Sequence, residues 1–190
     1  QVNYAPPDPA AFAAWAGAFA ARYGDRVDAY IVWDEPNLAG HWGSQPANPA
    51  EYAALLSATA TAIRAADANA TIVAAPLAPT TESGPQNLSE TIFLRGLYAA
   101  GAADAFDAVA LKPYGFDSGP DDRRVGADVL NFSRAILIRE LLLELDSGGT
   151  AIWAGNWGWD SLPVGWAGQP SIWGQTTAEA QATQTVAALE

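Results

Sequence analysis

The residues with the clearest chemical potential sit in Val32-Trp33-Asp34-Glu35-Pro36-Asn37, where two adjacent carboxyl groups follow an apolar run. A carboxyl group just beyond a strand, beside Trp33 and held by the following Pro36, suits a general acid. Aromatic surroundings disfavour the charged form and raise the pKa towards neutrality. The plainer alternative is a solvated turn at the entry to a helix. Other polar candidates are few. Lys112 is the only lysine and His41 the only histidine. His41, beside Trp42, reads as a loop hydrogen-bonder. Asp117, Asp121 and Asp122 gather around Gly119 and Pro120. Calcium favours such oxygens, but their spacing fits no calcium loop, so they read as a solvated charged turn. With no cysteine, disulfides, thiolate catalysis and zinc–sulfur sites are excluded. No metal site and no cofactor is expected.

Helical and strand patterns alternate to hold these residues. Asp8-Pro9 is an N-cap with proline at the first helical position, and Phe12, Trp15, Phe19 and Tyr23 then recur at helical spacing up to Gly24. Residues 29–33 form an apolar, β-branched and aromatic run expected to be a buried strand. Asn48-Pro49 opens a second helix reaching Ala66, and residues 71–75 make a second strand closed by Pro76. Helix 88–98, strand 106–111, helix 131–145, strand 150–154 and a final helix 177–189 complete the pattern. The long Gly/Pro/Trp loops 37–49, 78–87, 112–129 and 155–176 all follow strands, while the returns from helix to strand are short. That asymmetry is characteristic of α/β proteins whose functional face lies at the carboxyl ends of parallel strands.

Half of the 190 residues are hydrophobic, enough for a sizeable core, and the net charge is −12. Such a charge repels phosphate backbones and anionic lipid surfaces, so neither nucleic acid nor a membrane surface is an expected partner. No apolar run approaches the roughly 18 residues of a membrane span. A chain beginning at Gln1 rather than Met is not expected to be a complete translation product. The pattern gives an α/β fold with about four parallel strands and outer helices. It is either a small open sheet or one part of a (β/α)8 barrel, since a closed barrel needs about 250 residues.

The segment Trp33-Asp34-Glu35-Pro36-Asn37 resembles the Trp-Asn-Glu-Pro-Asn signature of the clan A glycoside hydrolases, retaining (β/α)8-barrel enzymes, and in particular the family 39-like group. The likeness extends over nearly the whole chain. Pro7-Asp8-Pro9 with Arg22-Tyr23 resembles the helix before the signature, and Glu51-Tyr52 with residues 62–67 the helix after it. Residues 106–115, with Phe106-Asp107 and Pro113-Tyr114, resemble strand six. Residues 152–159, ending in Trp157-Gly158-Trp159, resemble strand seven. Residues 1–190 are then one barrel fragment, helix three to helix seven, containing strands four to seven. By this resemblance Glu35 is the acid/base. Three positions depart from the pattern. Asp34 stands where the clan has the Asn that contacts the substrate 2-hydroxyl. Lys112 stands at a histidine position. Asn156 stands where the nucleophilic Glu belongs.

A retaining hydrolase needs two carboxyl groups about 5–5.5 Å apart, one forming a glycosyl ester. An amide forms no such ester, so the resemblance implies a catalytically degenerate domain that binds carbohydrate or serves as a structural or interaction module. The alternative is an active O-glycosyl hydrolase with Glu35 as general acid/base. An inverting route needs a base about 6.5–9.5 Å away, for which Asp160 and Asp117 are the candidates. Side chains of Asp34 and Glu35 are expected to diverge, as neighbours on a strand do, and Lys112 to pair with Asp34. Indole faces stack on sugar rings, and Trp42 and Trp157 are the aromatic candidates for such contact, whereas Trp15 and Trp153 read as plugs of the barrel mouth. The candidate substrate-binding set is Asp34, Trp33, Asn37, Trp42, Lys112, Tyr114, Trp157 and Trp159. A polysaccharide or oligosaccharide is the implied ligand, and an extracellular or cell-surface location is the implied setting. Open parallel edges invite aggregation, so neighbouring polypeptide is expected to cover the edges beside Tyr30 and Ile152.

Overall fold

The computed structural model describes residues 6–190; Gln1 and its four successors lie outside the described residues. Four strands, β1 (Ala29–Val32), β2 (Thr71–Leu77), β3 (Ala108–Leu111) and β4 (Ala151–Ala154), form one parallel sheet in sequential order. Five α-helices alternate with them: α1 (Pro9–Tyr23), α2 (Pro49–Ala66), α3 (Glu90–Ala99), α4 (Ala135–Glu144) and α5 (Ala178–Ala187). Sequential order in a parallel sheet is the strand order of a (β/α)8 barrel wall.

Local chemistry sets the helix ends. Asp8 accepts the Ala11 N–H at 2.8 Å, and Asn48 accepts those of Ala50 and Glu51 at 3.1 and 3.3 Å. Each is followed by proline at the first helical position, where the missing donor costs nothing. Ser89 and Thr177 cap α3 and α5 in the same way. The expected helix over 131–145 is divided: Phe132–Arg134 is a 3-10 turn and α4 proper starts at Ala135. Strand β3 begins two residues later than expected because Asp107 turns its carboxylate back onto the Ile72 N–H (2.7 Å) and Arg64 (3.0 Å). Strand β2 runs through Pro76 to Leu77, and the ladder with β3 shifts register between Ala74 and Leu77. Such an irregularity accommodates proline within a sheet.

The main core lies between the sheet and its helices. Leu55, Leu56 and Ile63 of α2, Phe93, Leu94 and Leu97 of α3, and Ile138 and Leu142 of α4 are buried against Ile72, Ala74 and Val109. Full burial of each large side chain contributes about 1.5–3 kcal/mol relative to exposure. Helices α1 and α2 approach closely at Gly17, where a Cβ would come within 3.2 Å of the Ala62 carbonyl oxygen. The opposite face of the sheet carries a smaller cluster of Val73, Ala108 and Ala110. Their register mates at the sheet margins, Ile31 on β1 and Trp153 on β4, are exposed. Trp15 is exposed as well. The reading of Trp15 and Trp153 as buried plugs therefore fails. Trp15 lies on α1 beside Phe12 and Phe19, and Trp153 on the marginal strand β4.

Candidate functional site

Strand β1 ends at Val32, one residue earlier than expected, because the backbone leaves the extended region there. Trp33 (φ 77°) and Glu35 (φ 49°) are both left-handed, a conformation costing of order 1–3 kcal/mol for a residue with a side chain. The surroundings hold it in place. The Glu35 N–H donates to the Pro76 carbonyl (3.0 Å) and the Glu35 carbonyl accepts from Leu38 (3.0 Å). The Trp33 indole N–H donates to the His41 carbonyl at 3.1 Å. This geometry overturns the expected divergence of Asp34 and Glu35. With the strand broken between them, both carboxylates turn towards one point.

That point is Lys112, the residue following β3. Its Nζ lies 2.8 Å from Asp34 Oδ1 and 2.8 Å from Glu35 Oε1. Burial pushes the Lys112 pKa down, but hydrogen bonds to Asp34 and Glu35 outweigh it and hold the ammonium above its ordinary range. His41 sits on the other side, with Nε2 3.1 Å from Glu35 Oε2 and Nδ1 3.6 Å from Asp34 Oδ2. The four side chains form a closed ring of alternating character: ammonium, carboxylate, imidazole, carboxylate. Asp34, Glu35 and His41 are, among the described residues, a group whose ligand atoms are close enough to hold a cation. Lys112 already supplies the positive charge to both carboxylates, so the donor set does not fit a divalent ion as arranged.

The pairing of Lys112 with Asp34 is as anticipated; its equal hold on Glu35 and the part taken by His41 are not. The signal for His41 was present in its place, six residues after Glu35, yet a lone loop histidine carries no pattern that fixes its direction.

Two of the candidate substrate-binding residues turn inward. Asn37 is fully buried (0% exposed). Its amide donates to the carbonyls of Ala78 and Leu88 and accepts the Ala78 N–H, all at 2.9 Å. It clamps the loop after β1 to the segment after β2. Trp42 is 1% exposed, edge-on to Trp33 and Tyr52, with its indole N–H donating to Glu51 at 3.1 Å. Neither offers a surface to a ligand, and the reading of Trp42 as a sugar platform is corrected accordingly. A sequence shows that an indole is near a site, not which way it faces. Trp33, half-buried, packs edge-on against Phe12 and Trp42.

Tyr114, Trp157 and Trp159 come together beyond β3 and β4, joined by Asp160 and Trp173, and line an open groove of about 220 Å³. Trp159 is buried, stacked on Phe132 with centroids 5.1 Å apart, and donates to the Ser118 carbonyl at 2.6 Å. Gly115 makes room for it, since a Cβ there would fall 1.7 Å from the indole nitrogen. Trp157 and Trp173 stay exposed, and Trp173 meets Tyr114 edge-on at 6.1 Å. Tyr114 connects the groove to the charged ring: burial raises its pKa, while Lys112 lowers it and Glu35 and Asp34 raise it. Asn156 is exposed, one residue past Gly155, whose N–H bonds the Leu111 carbonyl at 2.8 Å. It lies at the same end of the sheet as Glu35 but beyond the opposite margin, with β2 and β3 between. In the loop after β3, Asp122 is not merely solvated. It takes a two-pronged contact from Arg124 (2.9 and 2.7 Å) that holds its carboxyl well below the usual carboxylate range.

A sequential parallel sheet with its charged and aromatic groups at the carboxyl ends of the strands defines an α/β protein with the strand order of a (β/α)8 barrel wall. Comparison with solved structures makes the class more specific: the neighbours include family 39 glycoside hydrolases of clan A, and the chain is similar to them over most of its length. A monomeric β-xylosidase from Caulobacter crescentus CB15 is 26% identical, with a TM-score of 0.57 over 85% of this chain and 33% of that one. A family 39 glycoside hydrolase from Bacteroides cellulosilyticus WH2 shares the fold at 18% identity and TM-score 0.63, covering 97% of this chain and 35% of its own. A glucosidase from Croceicoccus marinus does so at 18% and 0.64, covering 87% and 34%. The chain thus spans about a third of the length of these structures. No protein-family model matches it, and no curated protein does. Among the described residues, no helix is long and apolar enough to cross a membrane.

Proposed function

We propose that residues 1–190 are one part of a glycoside-hydrolase-like barrel domain that binds saccharide without performing double displacement. The observation that carries this reading is the Lys112 ammonium, 2.8 Å from both Glu35 and Asp34. A general acid must reach the atom it protonates, and both Glu35 carboxyl oxygens are already engaged, Oε1 by Lys112 and Oε2 by His41 at 3.1 Å, so neither is free to meet a glycosidic oxygen as arranged. Asn156, at the position of the nucleophile by resemblance, supplies no carboxylate to attack an anomeric carbon. The acid/base and nucleophile positions are therefore both disarmed, each by a different substitution. The exposed indoles of Trp157 and Trp173 support retention of a sugar-binding face.

Two further parts of the reading concern the setting. Neighbouring polypeptide covers the margins at β1 and β4, supported by the exposed Ile31 and Trp153 and by an apolar groove of about 280 Å³ along α1 and β1. The domain works outside the cell or at its surface, where polymeric saccharides are met. The test is hydrolysis by the intact protein of a panel of aryl β-glycosides, with saccharide binding measured in parallel. Binding without turnover is expected. Turnover that Glu35→Gln abolishes would instead establish an active hydrolase with Glu35 as acid/base, and the degenerate reading would be withdrawn.

A further inference from the structure

The charge around the aromatic groove is one-sided. Asp160 lines it directly and is half-exposed; its backbone carbonyl takes the Thr176 N–H, while no side chain among the described residues pairs with its carboxylate. Tyr114 forms the wall towards Asp34 and Glu35, with the Tyr114 N–H donating to the Lys112 carbonyl at 2.8 Å. Asp160 is the one carboxylate among the residues lining the groove, and no lining residue carries a positive charge. Aromatic walls with an uncompensated carboxylate attract cations through the ring quadrupole and through direct pairing. They repel a uronic acid, and they give a neutral sugar only the stacking contribution.

We infer that the cleft selects a saccharide carrying a protonated amine, its ammonium beside Asp160 and its ring faces on Trp157 and Trp173. This inference rests on the saccharide-binding reading above and names the ligand class for it. The experiment is titration calorimetry of the intact protein at pH 6 with three tetrasaccharides: β-1,4-linked glucosamine, its fully N-acetylated form, and galacturonate. Binding of the amine form about tenfold tighter than the N-acetylated form is expected, with the uronate weakest. The preference should shrink in 0.5 M salt, where the Debye length falls to a few ångström. Asp160→Asn should bring the affinities for the amine and N-acetylated forms within about twofold of one another. Tetralysine should not compete.

Equal affinity for amine and N-acetylated forms would overturn the inference while leaving saccharide binding in place. So would competition by tetralysine, or an Asp160→Asn variant with the preference unchanged. Because discrimination is first read on the unmodified protein, a variant that fails to fold does not remove the test. If no saccharide binds at all, both the inference and the reading it rests on fall.

Discussion

Replacing Lys112 by methionine tests the charged ring most directly. Methionine keeps most of the side chain's volume but removes the one charge shared by Asp34 and Glu35. Breaking a buried pair by deleting one partner costs about 3–5 kcal/mol, because the remaining charge is left uncompensated. Here the two carboxylates differ: the Glu35 side chain is 14% exposed and that of Asp34 49%. Water therefore screens the Asp34 contact, whose share is that of a surface pair at most, and Glu35 carries the larger part. A net loss of about 2–4 kcal/mol at pH 7 follows. At roughly 2–4 °C per kcal/mol for a domain of this size, the melting temperature should drop by about 4–16 °C.

The pH dependence has a defined sign. The folded Lys112 pKa is raised, so its stabilisation is complete below the unfolded lysine pKa of about 10.4 and disappears as pH rises through the higher folded value. The assay is thermal unfolding of the intact protein and the Lys112→Met variant by circular dichroism from pH 7 to 11.5. The gap between them should be constant up to about pH 10 and narrow above it. A variant within about 0.5 kcal/mol of the parent at pH 7, the scatter of ordinary surface substitutions, would refute the ring as a stabilising unit. A gap unchanged to pH 11.5 would refute the charge as its cause.

Three other substitutions have outcomes that follow from single contacts. The buried Tyr52 hydroxyl donates to the Val32 carbonyl (2.9 Å) and accepts the Ala75 N–H (2.6 Å); Tyr52→Phe should cost about 1–3 kcal/mol in a urea titration, since both partners stay buried. Arg134 and Glu90 form a buried pair at 2.6 and 3.0 Å. Arg134→Met alone should destabilise by about 3–5 kcal/mol, and adding Glu90→Leu should recover part of the loss, because an apolar pair carries no stranded charge. Asn37→Ala removes three buried hydrogen bonds between the loops after β1 and β2. About 3 kcal/mol of lost stability, together with faster hydrogen exchange at Ala78, is expected, and a neutral result would return Asn37 to the list of ligand contacts.

Much of the architecture was legible in the chain. Asp8-Pro9 and Asn48-Pro49 mark helix starts because a capping oxygen and a proline act on their own few neighbours, and both helices begin there. Apolar runs at 29–33 and 71–75 mark strands for the same local reason, but only β2 is buried, since β1 is a sheet margin with Ile31 exposed. Boundaries moved where a distant group intervened, as when Asp107 turned to the Ile72 N–H and delayed β3. Within the site, residue types pointed to Glu35, Asp34 and Lys112, but not to their convergence.

Composition, charge and the order of apolar runs determined the parallel α/β sheet, the acidic surface, and the absence of a second carboxylate at position 156. These are properties of single residues and of their spacing, which no folding step alters. Which indoles face outward, and whether neighbouring carboxylates meet or part, was decided only in three dimensions. Trp42 is drawn inward by Glu51, Trp33 and Tyr52, while Trp157 stays at the surface. The left-handed turn at Trp33 and Glu35, fixed by a carbonyl some forty residues away at Pro76, brings two acids onto one lysine. Long-range contacts of that kind leave no periodicity in the sequence, because the groups that impose the geometry belong to a different strand.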